Sequence, residues 1–301
     1  MTAPPRLVVR GRALDLGEPV LMGIVNATPD SFSDGGEHPT TGARVQRALD
    51  LVAQGAGMID VGGQSGITGV PEVPVEVEIA RVVPLVAGLA EAAPDVVVSV
   101  DTYRPEVVAE VLAAGAAIVN DISGLLYPEV AGLVADAGAG LVIMHTRARP
   151  KHKVLDDGLY GDGGVTEDVV GFLAETLEAV TAAGVAPEAT ILDPGPDFAK
   201  TPAQTVAVLR DLDRVRGLGR PVLLALSRKD FVGAITGRAP RGRLAGTLAA
   251  VGHTATPGTI LRVHDVAEVA DYLAVARVLA GQADLPEEAR LADELRREPQ
   301  R

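Results

Sequence analysis

The chain has 301 residues, enough for one large α/β domain or two ordinary ones, and its 47% apolar content excludes a disordered chain. Forty acidic against 27 basic residues leave a formal charge of −13, which argues against a protein that grips nucleic acid by neutralising phosphates. Zero cysteines exclude disulfides, thiolate nucleophiles and Cys-ligated metal centres, and no apolar run approaches the length of a membrane helix.

Residues Leu7 to Leu16 alternate apolar and polar around Gly11, which reads as a small hairpin and a candidate to close the bottom of a barrel. Eight short apolar segments then run from Val20 to Val25, Met58 to Gly62, Val96 to Val100, Ala117 to Val119, Leu141 to Met144, Thr190 to Leu192, Val222 to Leu226 and Thr259 to Val263. They are rich in Val, Ile and Leu without strict alternation, as parallel strands covered on both faces require. The gaps between them hold helix-length stretches. Thr41 to Gln54 is amphipathic and stops at Gly55. Pro105 opens a helix that ends before Gly115, and Pro202 opens one spanning Ala203 to Arg216. Eight strand–helix repeats predict a single (β/α)₈ TIM barrel with an N-terminal β-hairpin. It is read as one domain over 1–301, with its core at 17–282 and a peripheral tail at 283–301, a short helix or frayed end. Residues Met1 to Arg10 lack a secretory signal pattern, and a cytoplasmic location is the simplest fit.

Nearly every strand ends on a residue able to do chemistry: Asn26, Gly63, Asp101, Asn120, His145, Asp193, Ser227 and His264. In a barrel these ends converge on one rim, where substrates bind. Taken singly, each Asp or Asn is as easily a helix cap or turn residue. Together with Lys229 and Arg262 they place several titratable groups in one place. Two carboxylates and an Asn suit a flat, N–H-rich heterocycle of guanine or pterin type. Arg262 and His264, two apart on one strand and so on one face, can join Asn26 in holding a phosphate or its metal ion. His145 offers either a base or a structural strand-end histidine. The basic run from His145 to Lys153 reads evenly as a solvated loop or an anion-capture loop. No G-x-G-x-x-G follows the first strand and no P-loop is present.

The run Met22-Gly-Ile-Val-Asn26-Ala-Thr28-Pro-Asp30-Ser31-Phe32-Ser33-Asp34-Gly-Gly36 resembles the first signature of dihydropteroate synthases. So do Ser99-Val-Asp101-Thr, Asn120-Asp121, Asp193-Pro-Gly195 with Phe198 and Lys200, Ser227-Arg228-Lys229, and Arg262-Val-His264-Asp265. The resemblance runs from about residue 20 to 280. It implies a pterin-binding transferase of folate biosynthesis that joins 6-hydroxymethyl-7,8-dihydropterin pyrophosphate to p-aminobenzoate, with Mg²⁺, as a homodimer. By motif, Asp101, Asn120, Asp193 and Lys229 would hold the pterin ring, with Met144 and Phe198 lining its pocket. Asn26 would ligate Mg²⁺, and Arg262 with His264 would bind pyrophosphate. Asp101, Lys229 and Arg262 would take part in the chemistry, and the loop Thr28 to Gly36, with Asp30, Ser31 and Phe32, would close over the substrates.

The second loop departs from the pattern. Where the family reads Gly-Gly-Glu-Ser-Thr-Arg-Pro-Gly, this chain has Gly62-Gly63-Gln64-Ser65-Gly66-Ile67-Thr68-Gly69. Asp197 stands where Gly is usual, Asp230 where Ser is frequent and the aminobenzoate carboxylate is expected, and Arg147 and Arg149 are unusual in their loop. Three readings are open: a dihydropteroate synthase in which Arg147 or Arg149 compensates, a diverged pterin-binding paralogue with a changed amine acceptor or sulfonamide tolerance, and a non-catalytic pterin-binding or partner-binding protein.

Overall fold

The computed structural model describes residues 6–28, 40–65, 69–292 and 295–296. Its first two strands, β1 (Leu7–Val9) and β2 (Arg12–Leu14), form an antiparallel hairpin. The two-residue turn places Arg10 and Gly11 both at positive φ, 49° and 73°, the geometry whose twist suits a tight hairpin.

The remaining strands are β3 (Val20–Asn26), β4 (Met58–Gly62), β5 (Val97–Asp101), β6 (Ile118–Asp121), β7 (Gly140–Met144), β8 (Thr190–Asp193), β9 (Val222–Leu224) and β10 (Thr259–Val263). Each pairs in parallel with the next, and β10 returns to β3, so the sheet closes into a barrel. Between them lie α1 (Thr41–Ala53), α2 (Val75–Ala92), α3 (Pro105–Ala113), α4 (Glu129–Asp136), α5 (Gly164–Ala182), α6 (Pro202–Arg210), α7 (Leu212–Arg216), α8 (Asp230–Thr236), α9 (Leu244–Thr254) and α10 (Val266–Leu279).

The barrel and hairpin are those expected from the sequence. Two elements differ. The single helix expected over Ala203 to Arg216 is broken at Asp211, whose ψ of 21° leaves the helical region and whose carboxylate accepts from Thr166 Oγ1 at 3.4 Å. Asp211 N still closes on Ala207 O, and Arg214 N donates to Asp211 O at 2.9 Å, so the second helix restarts from a tight i, i+3 turn. The tail beyond α10 forms no α-helix among the described residues.

Two cores divide the strands by parity. Outward side chains such as Val25, Val61, Val100, Val119, Ile143, Leu192, Leu224 and Val263 pack against the helices. Inward ones, Met22, Met58, Val97, Ile118, Val142, Ile191, Leu223 and Ile260, fill the barrel together with Leu7, Val9 and Leu16 of the hairpin segment. The hairpin therefore closes the bottom. Two residues further along, on the same inward parity, five of the eight strands change from apolar to polar with Asp60, Ser99, Asn120, Asp193 and Arg262, while β3, β7 and β9 keep Ile24, Met144 and Ala225. That change of layer sets the floor of the site.

Candidate active site

At the centre of the floor sits Asp60, fully buried in the middle of β4. Its Oδ1 accepts from Ser99 Oγ at 2.6 Å, and its Oδ2 accepts from Arg262 Nε at 2.6 Å and Asn120 Nδ2 at 3.2 Å. Arg262 reaches on to Asp101 through Nη2 at 3.2 Å. One carboxylate thus ties β4 to β5, β6 and β10 and fixes three of the residues expected at the rim. Asp60 escapes a search for polar strand ends because it lies inside a strand. The signal that finds it is a lone carboxylate on the inward parity of an apolar segment, two residues after Met58.

The groups held there are poised for a ligand. Asn120 is buried, its amide is given to Asp60, and its Oδ1 has no partner. A buried acceptor left unpaired costs about 1–3 kcal/mol, which an incoming N–H donor recovers. Burial raises the Asp101 carboxyl to about 7 against the lowering effect of Arg262, and raises Asp193 to about 6 against a backbone bond from Gly195. Both carboxylates are thereby made costly to keep charged without a donor from a ligand. Met144, buried at the end of β7, and Phe198 add apolar surface. Lys229 stands 4.4 Å over the Phe198 ring and donates to the Pro196 carbonyl at 3.1 Å, and burial lowers its ammonium below the usual lysine range.

The pyrophosphate candidates sit on neighbouring strands. Asn26 ends β3, in register with Gly62, and a Cβ at Gly62 would lie 3.4 Å from its Oδ1. His264 follows β10, and its Nδ1 lies 3.0 Å from Ser227 Oγ. Burial, then Arg262, pushes the imidazole down to about 4, so it is neutral at neutral pH. Arg262 faces the ring-side carboxylates, while its Nη1 makes no hydrogen bond to the described residues. Thr28 is half-buried just beyond β3, and Asp30, Ser31 and Phe32 lie outside the described residues.

His145 is committed elsewhere. Its Nδ1 is 2.8 Å from Lys200 Nζ and its Nε2 is 2.7 Å from Asp168 Oδ1, so Nε2 carries the proton and donates. Burial and the adjacent Lys200 push the ring down to about 3. Lys200, fully buried, also donates towards the carbonyls of Gly195 at 3.0 Å and Phe198 at 3.1 Å. This lysine staples the loop after β8, which carries Phe198, to the end of β7. Spacing alone gives no hint of it. His145 is thus the structural strand-end histidine of the two readings.

The described flanks of the altered second loop are braced. Gln64 Nε2 donates to Glu78 Oε2 at 2.7 Å, and the same oxygen accepts from Arg104. Lys151 donates to the Ser65 carbonyl, and its own carbonyl accepts from Gly69 N at 2.9 Å. Positions 66–68, between these anchors, lie outside the described residues.

A family model described as pterin binding enzyme matches residues 22–264. The dihydropteroate synthase of Synechocystis is 39% identical over 281 residues, covering 92% of this chain and 96% of that one. This chain belongs to the dihydropteroate synthase family. It is therefore an enzyme of transferase type. The Xanthomonas albilineans dihydropteroate synthase with 4-aminobenzoic acid superimposes with a TM-score of 0.83 at 41% identity, covering 92% of this chain and 99% of that one. A second structure of the Xanthomonas enzyme, in complex with 7,8-dihydropteroate, gives 0.80 at the same identity and coverage. The Xanthomonas enzyme thus shares the barrel fold described above.

Proposed function

We propose that this chain condenses 6-hydroxymethyl-7,8-dihydropterin pyrophosphate with p-aminobenzoate, giving 7,8-dihydropteroate and pyrophosphate. The observation that carries the reading is the unpartnered Asn120 Oδ1 on the inward face of the barrel that also carries Asp101 and Asp193, a set of acceptors that suits a ring edge rich in N–H groups. The ligands named for the two Xanthomonas structures, 4-aminobenzoic acid and 7,8-dihydropteroate, support the same substrates.

In the reaction the bond from the pterin methylene carbon to the pyrophosphate oxygen breaks, and its electrons leave with the pyrophosphate. The lone pair of the arylamine nitrogen forms the new C–N bond, and that nitrogen then gives up a proton. Asp101, Asn120, Asp193 and Lys229 orient the ring between Met144 and Phe198. Ionised Asp101 stabilises positive charge that develops near the methylene carbon, and Arg262 Nη1 and the neutral His264 ring face the leaving group. The donor set fits an oxygen-seeking cation that arrives with its pyrophosphate: Asn26 offers one neutral carbonyl oxygen, and no group of three acidic or His side chains is gathered among the described residues. Asn26 would hold Mg²⁺, which when bound supplies charge neutralisation at the leaving oxygens. The loop from Thr28 through Asp30, Ser31 and Phe32 would exclude water. The chain would act as one domain, as a homodimer, in the cytoplasm; among the described residues no helix is long and apolar enough to cross a membrane.

A steady-state assay with p-aminobenzoate and Mg²⁺, following dihydropteroate, tests this reading. Product at a rate abolished by Asp193→Ala is expected. Binding of the pterin without product would remove the condensation and leave a pterin-binding protein with another acceptor.

A further inference from the structure

The cavity at the rim, about 440 Å³, is walled on one side by Gln64, Ser65 and Asp101, on another by Phe198 and Lys229, and on a third by the loop after β7. If the acceptor is a carboxylated arylamine, as the proposed function has it, its carboxylate needs a cationic or N–H partner in this cavity.

The start of α8 is taken. Asp197, held at φ 63°, directs Oδ2 to Asp230 N at 2.5 Å and Phe231 N at 3.3 Å, and its Oδ1 accepts from Thr205 Oγ1 at 3.0 Å. Asp230 adds a second carboxylate, paired with Arg243 at 3.0 Å and 4.0 Å from Lys153. Both departures in this region are thus engaged, Asp197 with the first backbone N–H groups of α8 and Asp230 with Arg243. A substrate carboxylate arriving there would meet two negative charges and no vacant backbone donor.

Most cations around the cavity are also engaged. Arg228 forks onto Asp265 at 2.5 and 3.1 Å, Lys229 is committed to Pro196 and Phe198, and Lys151 straps the second loop. Arg147 forks onto Asp168 at 2.9 and 2.7 Å, lies over Phe172, and does not line the cavity. Arg149 differs. It lines the cavity, it is exposed, and its guanidinium makes no hydrogen bond or ion pair with the described residues.

We infer that Arg149 is the specificity-determining residue that holds the acceptor's carboxylate. Its planar fork matches a carboxylate with two parallel N–H donors, which Ile67 in the altered second loop has no means to supply. Of the two arginines that distinguish this loop, the geometry points to Arg149, since Arg147 serves the His145–Asp168 network.

The test compares wild type, Arg149→Ala and Arg149→Lys with p-aminobenzoate and with p-toluidine, which lacks the carboxylate. The expected result for Arg149→Ala is a rise in KM for p-aminobenzoate of about tenfold, the loss of one charge-assisted bond, with kcat and the KM for the pterin pyrophosphate within about twofold. The effect should vanish with p-toluidine, and Arg149→Lys should recover part of it. An unchanged KM for p-aminobenzoate, or an equal rise with both amines, overturns the assignment. Calorimetric binding of p-aminobenzoate in the presence of pyrophosphate separates the two readings. Binding that weakens in Arg149→Ala without turnover in wild type supports Arg149 while removing the reaction, and wild type that does not bind p-aminobenzoate overturns both.

Discussion

Asp60 and Asp101 show how different two carboxylates in one site can be. Asp60 is saturated by Ser99, Asn120 and Arg262, and its work is to hold them. Asp60→Asn removes the charge that faces a guanidinium with little outlet to water, so urea unfolding should show a loss of about 3 kcal/mol, as for a broken buried pair, with weaker pterin binding. A loss under about 1 kcal/mol would mean that Asp101 alone suffices for Arg262. Asp101, by contrast, is raised from near 3.8 to about 7 chiefly by burial. Between those values the folded chain binds more protons at this site than the unfolded one, so its contribution to stability falls as pH rises and is level above about 7. Asp101→Asn cannot titrate. The stability of wild type minus that of the variant should therefore decrease from about pH 4 to about pH 7, other groups cancelling, whereas pterin affinity in wild type should strengthen as Asp101 ionises. A constant difference across that window would place the Asp101 pKa near its ordinary value. The strand-end residues were legible because a barrel brings all its strand ends to one rim. Asp60 was not, and Lys200 was seen only as a motif residue without its role, because their meaning lies in partners 202 and 55 residues away, which no local pattern encodes.

At the scale of loops and helices, the strands read plainly because burial on both faces forces near-continuous apolar runs. The loops that carry the site do not. Lys151, Asp197, Ala199 and Arg228 all take left-handed φ without being glycine, at about 1 kcal/mol or more each, and tertiary contacts hold them there. The change from Glu to Gln at position 64 reads in sequence as a lost carboxylate. In the fold it is half of a pair: the Gln64 amide donates to buried Glu78, whose Oε2 also takes Arg104. Restoring Gln64→Glu would set two carboxylates against each other with one guanidinium between them. The variant should lose about 1–3 kcal/mol and gain no rate. Adding Glu78→Gln, which reverses donor and acceptor, should recover part of the loss. Thermal unfolding of the single and double variants with parallel rate assays checks this, and a faster, equally stable Gln64→Glu would show the loop to be damaged rather than rebuilt.

Across the whole molecule the barrel separates stability from chemistry along its axis. Its lower layer is apolar and sealed by Leu7, Val9 and Leu16, and its upper layer is the polar floor of the site. The hairpin is not merely appended. Arg10 donates from Nε to Ala116 O at 2.8 Å, from Nη2 to Leu112 O at 2.5 Å and from its backbone N to Gly138 O at 2.6 Å, pinning the plug to the end of α3 and to the turns that precede β6 and β7. Leu7 is fully buried beneath the inward residues of the strands. Leu7→Ala leaves a cavity there, and urea unfolding should report a loss of about 2–5 kcal/mol. The residues proposed to meet substrate lie at the opposite end of the strands, held by Asp60 and Lys200 through bonds the hairpin does not touch. Hence kcat, and KM for both substrates, should stay within about twofold of wild type at temperatures where the variant is folded. A large fall in kcat with little loss of stability would mean that the lower layer transmits its packing to the polar floor, and the barrel would then work as one mechanical unit rather than two stacked ones.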